Sequence, residues 1–288
     1  RTIPFPSPER GRIVRGGLPG GAAPRIINPA RHVDFSGDEG MATVHLLGTG
    51  AGFSGPDRTT TMLAFESEGR SVVVDCGGDV VQRLLASGVD LDGIEAMIVT
   101  HEHPDHVSGF ALFIEKIWLS GRRDPLPVFG IRPAIDQARR VWEAFRTDTW
   151  DVPEIRWTEV PYEAGAEVLR NERWRITCAP GVHGVPVVGL RVQDLRGGGV
   201  CAYSCDTAKC APITELSRGA SVLVHEATGT EQGGHTTREQ AAEVARDAGA
   251  ARLVLVHLPP GMTDELLNDA RALFPATEFG HDGGRYEF

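Results

Sequence analysis

Cysteine is scarce in this sequence. There are five in 288 residues: Cys76, Cys178, Cys201, Cys205 and Cys210. The count is odd and no two form a C-x-x-C pair, which argues against a zinc ribbon and leaves reduced, mostly buried thiols as the expectation. Long apolar runs are also missing. None approaches the roughly 20 residues that a membrane-crossing helix requires, and no secretory signal pattern is visible. The expectation is a cytoplasmic chain without a membrane partner. Basic charge is in short supply, with 29 Lys and Arg against 39 Asp and Glu and a net charge of -10. That balance excludes a broadly basic nucleic-acid footprint. It leaves room for a local basic groove, or for metal ions that supply the positive charge at a site. No repeat with a period of 20 to 50 residues is present.

What is there fits a globular protein long enough for one large α/β domain or two small ones. Residues 1–40 are set apart by recurring Pro and Gly (Pro4, Pro6, Pro8, Gly16, Gly17, Pro19, Gly20, Gly21, Pro24). They read as an extended arm, or equally as a disordered tail. From about residue 41 onward short apolar runs alternate with helical patterns. The runs are Val44–Leu47, Val72–Val74, Met97–Val99, Arg175–Cys178, Val200–Tyr203, Val222–Val224 and Leu253–Val256. Runs of this length suit strands buried on both faces. Helical patterns fall at Val80–Ser87, Gly109–Leu119, Arg132–Phe145, Arg238–Ala248 and Asp264–Leu273. The helix at Arg238 has a start signal, since Thr236 with Glu239, or Thr237 with Gln240, forms a capping box. Strands alternating with helices predict a layered α/β architecture.

The chemistry concentrates in Thr100-His101-Glu102-His103-Pro104-Asp105-His106, which follows the run Met97–Val99 directly. His101 and His103 can turn to one point, while Asp105 and His106 can serve a second. Three imidazoles and a carboxylate in six residues form the N/O ligand set that zinc prefers. The same rule, a buried strand and then a polar residue, marks His183, Asp206, His225 with Glu226, and His257 as further ligand candidates. Counting ligands gives two sites. His101, His103 and His183 fill one, and Asp105, His106 and His257 fill the other. Asp206 bridges them with its two oxygens. Two cations set this way would share a hydroxide, lower its pKa and leave positions open for substrate. Asp105 is also placed to orient the nucleophile. Glu226 and His235 are left over, as candidates for stabilising the transition state and protonating the leaving group. Gly48-Thr49-Gly50-Ala51-Gly52 lacks the ending of a phosphate loop and reads as a tight turn under the site. Trp142, Trp150, Trp157 and Trp174 read as core packing, a dimer contact or a substrate wall.

H-x-H-x-D-H at 101–106 resembles the signature of the metallo-β-lactamase superfamily. Leu47-Gly48-Thr49-Gly50, Val74-Asp75-Cys76-Gly77, Val182-His183-Gly184-Val185-Pro186, Asp206-Thr207, His225-Glu226-Ala227-Thr228 and His235-Thr236-Thr237 narrow the likeness to the ribonuclease Z branch and its phosphodiesterase relatives. The resemblance implies a four-layer αβ/βα sandwich over residues 41–288 and two divalent metal ions, zinc with manganese or iron as alternates. It implies the same ligand set: His101, His103, Asp105, His106, His183, Asp206 and His257. It also implies that Glu226 and His235 work as a pair near the scissile phosphate. Relatives commonly pair, so a homodimer is part of the expectation.

The sequence departs from the tRNA-processing members. No basic, Gly/Pro-rich arm lies between His106 and His183, and Thr147–Glu167 is acidic instead. Leu258-Pro259-Pro260-Gly261-Met262 replaces the usual Ser-x-Arg-Tyr-like continuation, and Cys205 stands where Gly usually precedes the bridging Asp. The expectation is therefore a dinuclear phosphodiesterase acting on a small or short nucleotide-like substrate, without stable nucleic-acid binding. Hydrolysis of a lactone, ester, thioester or β-lactam is the alternative, and tRNA 3′-end cleavage is the third reading.

Overall fold

The structure is a computed structural model that describes residues 41–229 and 233–288, so the arm expected for residues 1–40 lies outside the described residues. Two seven-stranded sheets are built by similar routes. The first starts with an antiparallel meander, β1 (Thr43–Gly48), β2 (Met62–Ser67) and β3 (Arg70–Val74). It then adds β4 (Ile94–Val99), β5 (Leu126–Gly130) and β6 (Ile155–Glu159) in parallel. The crossovers carry α1 (Val80–Ala86), then α2 (Pro104–Val107) with α3 (Phe110–Leu119), then α4 (Arg132–Glu143). The second sheet repeats the plan. Antiparallel β7 (Ala166–Arg170), β8 (Trp174–Pro180), β9 (Val188–Asp194) and β10 (Val200–Tyr203) are followed by parallel β11 (Val222–Glu226), β12 (Leu253–Val256) and β13 (Thr277–Phe279). Here α5 (Ala211–Leu216), α6 (Arg238–Ala248) and α7 (Asn268–Leu273) make the crossovers. The last strand, β14 (Gly284–Glu287), returns to the first sheet and pairs with β1.

Alternation along β11 and β12 shows how the layers form. Val222, Val224, Val254 and Val256 join one core shared with Val72, Val74 and Ile98 of the first sheet. Leu223, Leu253 and Leu255 point the other way and pack with Ala241, Val244 and Ala245 of α6. Successive strand residues face opposite sides, so β-branched and leucine residues in turn fill both faces of a buried sheet. The result is helix, sheet, sheet, helix, as the resemblance implies.

Every predicted strand and helix falls on an observed element, with two refinements. The 264–273 pattern divides into a 3-10 turn (Asp264–Leu267) and α7, and the 132–145 helix stops at Glu143. Of the two capping boxes, the structure uses Thr237 with Gln240: Thr237 Oγ1 accepts from the Gln240 N–H at 3.2 Å, and Gln240 Oε1 accepts from the Thr237 N–H at 3.0 Å. The tryptophans go to packing. Trp174 is fully buried, Trp157 stacks on Phe110 at 5.2 Å, and Trp150 stacks on Trp118 at 5.4 Å. No helix among the described residues is long and apolar enough to cross a membrane.

Candidate metal centre

Strands β3 and β4 are parallel neighbours in one sheet, and β10, β11 and β12 are parallel neighbours in the other. Their carboxyl ends meet at one edge of the sandwich, the place where open α/β sheets put ligands. Asp75 follows β3, residues 100–106 follow β4, Asp206 follows β10, and His257 follows β12. His183 follows β8, which is two antiparallel steps from β10 and so ends at the same edge. Asp75, Cys205 and His257 all sit at positive φ, 62°, 52° and 55°. Side chains other than Gly are strained there, and such residues cluster at functional sites.

The structure brings the sequence-predicted residues together in the predicted groups. Donor atoms of His101, His103 and His183 lie within 4.8 Å of one another, and so do those of Asp105, His106, Asp206 and His257. In the first group, His183 Nε2 is 3.1 Å from His103 Nδ1. In the second, His257 Nε2 is 3.1 Å from Asp206 Oδ2 and 3.3 Å from Asp105 Oδ2. His106 Nε2 is 3.5 Å from Asp206 Oδ1 and 3.6 Å from Asp105 Oδ2. Asp206 stands between the groups, with Oδ2 also 4.0 Å from His101 Nε2.

Hydrogen bonds on the far side of each ring fix which nitrogen faces the cluster. His106 Nδ1–H donates to Asp75 Oδ2 at 2.8 Å, and His183 Nδ1–H donates to the Gly234 carbonyl at 3.1 Å. His257 Nδ1–H donates to Thr228 Oγ1 at 2.8 Å, and that hydroxyl donates to Glu226 Oε2 at 2.9 Å. The Nε2 atoms of these three rings converge on the cluster, the arrangement of metal-binding histidines whose other nitrogen is held by a carboxylate, carbonyl or hydroxyl. His101 Nε2, His106 Nε2 and Asp206 Oδ1 are buried without a hydrogen-bond partner. Buried polar atoms are rarely left so, and a cation would satisfy all of them. The residues present therefore fit divalent metal ions of the zinc type.

The acids and imidazoles of the cluster shift one another strongly. Burial works against charge on Asp206, but His257 and His106 outweigh it and hold the acid well below the carboxylate range. Burial likewise raises Asp105, and the hydrogen bond from His257 with the charge of His106 brings it down to about 2. Burial lowers His101 well below its ordinary value, with His106 adding to the effect, and burial also lowers His183. Burial opposes charge on His106, yet Asp206 and Asp75 raise it well above.

Beside the cluster, Glu226 is fully buried and gathers donors. It accepts from the backbone N–H of Thr207, Thr228 and Thr236 at 3.1, 2.9 and 3.1 Å. It also accepts from His235 Nδ1–H at 2.8 Å. Burial opposes charge on His235, but Glu226 overcomes it and raises the imidazole.

One ligand candidate falls elsewhere, and two neighbouring features keep the structural part the sequence suggests. His225 joins neither ligand group; it is buried in β11 with Nδ1 2.8 Å from the Glu226 carbonyl, because strand alternation turns it away from the site. Cys205 stays a buried thiol, 3.0 Å from Thr100 Oγ1, with burial and then Asp206 raising it well above its ordinary value. The glycine-rich turn is structural: Ala51 N–H donates to the Leu258 carbonyl and Leu258 N–H to the Thr49 carbonyl, tying it to the residue after His257.

Asp75 is the residue that ligand counting does not find. The strand-then-polar rule reaches it after Val72–Val74, but nothing local shows that it will serve His106, 31 positions on.

Two mixed sheets with outer helices and a His/Asp cluster at their shared edge define an αβ/βα hydrolase of the metal-dependent class. A family model described as a beta-lactamase superfamily domain matches residues 70–258. The ribonuclease Z of Mycobacterium avium (strain 104) is 31% identical over 272 residues, spanning 86% of this chain and 95% of that protein. The metallo-beta-lactamase fold protein YhfI from Bacillus subtilis superposes with a TM-score of 0.73 at 23% identity, covering 86% of this chain and 100% of that one. Human tRNase Z, short form, gives 0.71 at 21% identity, over 85% and 98%. The chain belongs to the β-lactamase superfamily, in its ribonuclease Z-like metallo-β-lactamase branch.

Proposed function

We propose that this chain is a phosphodiesterase that acts on small or modest-sized substrates, with His101, His103 and His183 holding one divalent cation, Asp105, His106 and His257 the other, and Asp206 shared between them. The observation that carries the reading is the hydrogen-bonded Glu226–His235 pair next to the two ligand groups. When bound, a pair of such cations supplies an activated water and neutralises charge on the group under attack. Asp105, with Oδ2 3.3 Å from His257 Nε2, lies at the margin of its group and orients the attacking water. Glu226 fixes His235 with Nδ1 protonated, which leaves Nε2 to hold a proton toward the scissile phosphate and pass it to the leaving oxygen. Thr228 links the two functions, since its hydroxyl contacts both Glu226 and His257.

Cleavage of RNA is the second reading, and what favours it is the likeness to proteins named ribonuclease Z along most of the chain. The experiment is a panel on the zinc- or manganese-loaded protein: a nucleoside aryl phosphodiester, an aryl ester, a lactone and a precursor tRNA. Turnover of the small phosphodiester, abolished by chelation, is the expected result. Faster hydrolysis of the carbonyl substrates would move the function to the ester class, and specific 3′ cleavage of the tRNA would move it to RNA processing.

A further inference from the structure

Behind His101, on the side away from the cluster, three buried residues meet at one hydroxyl. Thr100 Oγ1 has one hydrogen to give and two lone pairs. Its hydrogen goes to Asp75, whose Oδ2 and Oδ1 lie at 2.8 and 3.0 Å. Two groups approach the lone pairs: His101 Nδ1 at 3.2 Å and the Cys205 thiol at 3.0 Å. The sulfur also packs 3.6 Å from His101 Nδ1. Donor and acceptor capacities then match, with Asp75 accepting, Thr100 relaying, and both His101 Nδ1–H and Cys205 S–H donating.

We propose that Cys205 is a positioning residue for His101. Its thiol donates to Thr100 Oγ1 and walls the imidazole, so that Nδ1 keeps its hydrogen and Nε2 stays bare and aimed at the cation. This rests on the ligand reading given above for His101. The backbone makes the choice of residue informative. Cys205 has φ 52°, a conformation that favours glycine, and glycine is the residue the resemblance leads one to expect here. The chain keeps a strained β-carbon, and the sulfur it carries contacts the Thr100 hydroxyl that also meets His101 Nδ1. Direct metal ligation by Cys205 with His101 and His106 is the competing assignment, as their donor atoms lie within 4.8 Å. The geometry opposes it: the sulfur meets His101 at Nδ1, and His106 Nδ1 is committed to Asp75.

The test uses the full chain, metal-free and zinc-loaded, as wild type, Cys205→Ser, Cys205→Ala and Cys205→Gly. Long-range proton–nitrogen correlation spectra of the metal-free protein report the His101 tautomer. Competition with a chromophoric chelator reports the two zinc affinities. The expected result is an Nδ1–H tautomer in wild type and in Cys205→Ser, with zinc affinities of that variant within about threefold of wild type. In Cys205→Ala and Cys205→Gly the tautomer becomes mixed, and one of the two affinities falls roughly tenfold, as for loss of an outer partner of a ligand. An Nε2–H tautomer in wild type overturns the proposal, and so do wild-type affinities for both ions in the Ala and Gly variants. Should a variant fail to fold, the wild-type tautomer still decides. A wild type that takes up no zinc would refute the ligand reading, while the spectrum would continue to judge the relay.

Discussion

Asp75 Oδ2 lies 2.8 Å from His106 Nδ1, and the same side chain accepts from the backbone N–H of Thr100 at 2.8 Å and from its hydroxyl. His106 belongs to one ligand group, and His101, reached through Thr100, belongs to the other. One buried carboxylate thus sets the orientation of an imidazole in each group. Replacing it with Ala strands His106 Nδ1 and the Thr100 N–H in the interior, at about 1–3 kcal/mol for each unsatisfied group. Asp75→Ala is expected to lower the affinity for both ions by roughly 10- to 100-fold and to shift denaturant unfolding of the metal-free protein to lower midpoints. Chelator competition and urea titration check the two effects. Unchanged affinity for both ions would mean that the carboxylate holds the fold and nothing more.

Asp206 makes a different prediction, because it reaches both groups: Oδ2 lies 4.0 Å from His101 Nε2 and 3.1 Å from His257 Nε2, and Oδ1 lies 3.5 Å from His106 Nε2. Asp206→Ala is expected to reduce bound metal from two ions per chain to one or fewer, and to lower turnover by more than the roughly 100-fold that marks the upper range for outer partners. Elemental analysis of the purified variant beside its phosphodiesterase rate is the measurement. Two firmly held ions in that variant would remove Asp206 from the shared position.

The part of this site that was legible in the sequence is the part carried by local pattern. Buried β-branched runs marked β4, β10, β11 and β12, and the polar residue after each run marked the edge where His101, Asp206, Glu226 and His257 collect. Strands with a mixed or half-exposed pattern were not legible. β6 (Ile155–Glu159) and β7 (Ala166–Arg170) are the outermost strands of their sheets; β6 has only half-buried and exposed residues, and β7 mixes buried with exposed ones. The pairing of β14 with β1 joins the two ends of the described chain, and no short window contains it. The same limit hides the role of Asp75 and the face that His225 takes. The strand-end rule finds a polar residue, but which face it takes depends on the pleat.

His225 provides the pH test. Burial lowers its imidazole below the ordinary value, with the hydrogen bond to the Glu226 carbonyl offsetting only part. The folded chain therefore resists protonation that the unfolded chain accepts at about pH 6.5. The stability tied to neutral His225 is complete above that pH and is lost as pH falls from there toward the lowered folded value. His225→Asn keeps a donor near Nδ1 but cannot titrate. Its unfolding free energy should start below wild type at pH 8, by about 1–2 kcal/mol for the smaller side chain. On acidification the two curves should converge, at up to about 1.4 kcal/mol per pH unit for one proton. Urea unfolding at pH 8, 6.5 and 5 checks this, and curves that stay parallel would show that His225 titrates alike in both states.

Two glycines near the ligands differ in what surrounds them, and that difference is measurable. A β-carbon on Gly77 would stand 1.7 Å from the Asp105 carbonyl oxygen and 2.2 Å from its carbon. Those atoms are backbone, and the neighbouring strand of chain is laced to them: Cys76 N–H donates to the His106 carbonyl and Gly109 N–H to the Cys76 carbonyl, both at 2.7 Å. The clash is relieved only by moving α2, which carries Asp105 and His106. Gly184, next to His183, has nothing within 4 Å of the same added atom. Gly77→Ala is therefore expected to destabilise the fold by about 1–3 kcal/mol or more and to cost it metal, whereas Gly184→Ala keeps wild-type stability and metal content. Thermal unfolding and elemental analysis of the pair decide the matter. Full metal content at wild-type stability in Gly77→Ala would show that the Cys76–Gly77 turn does not fix the position of α2.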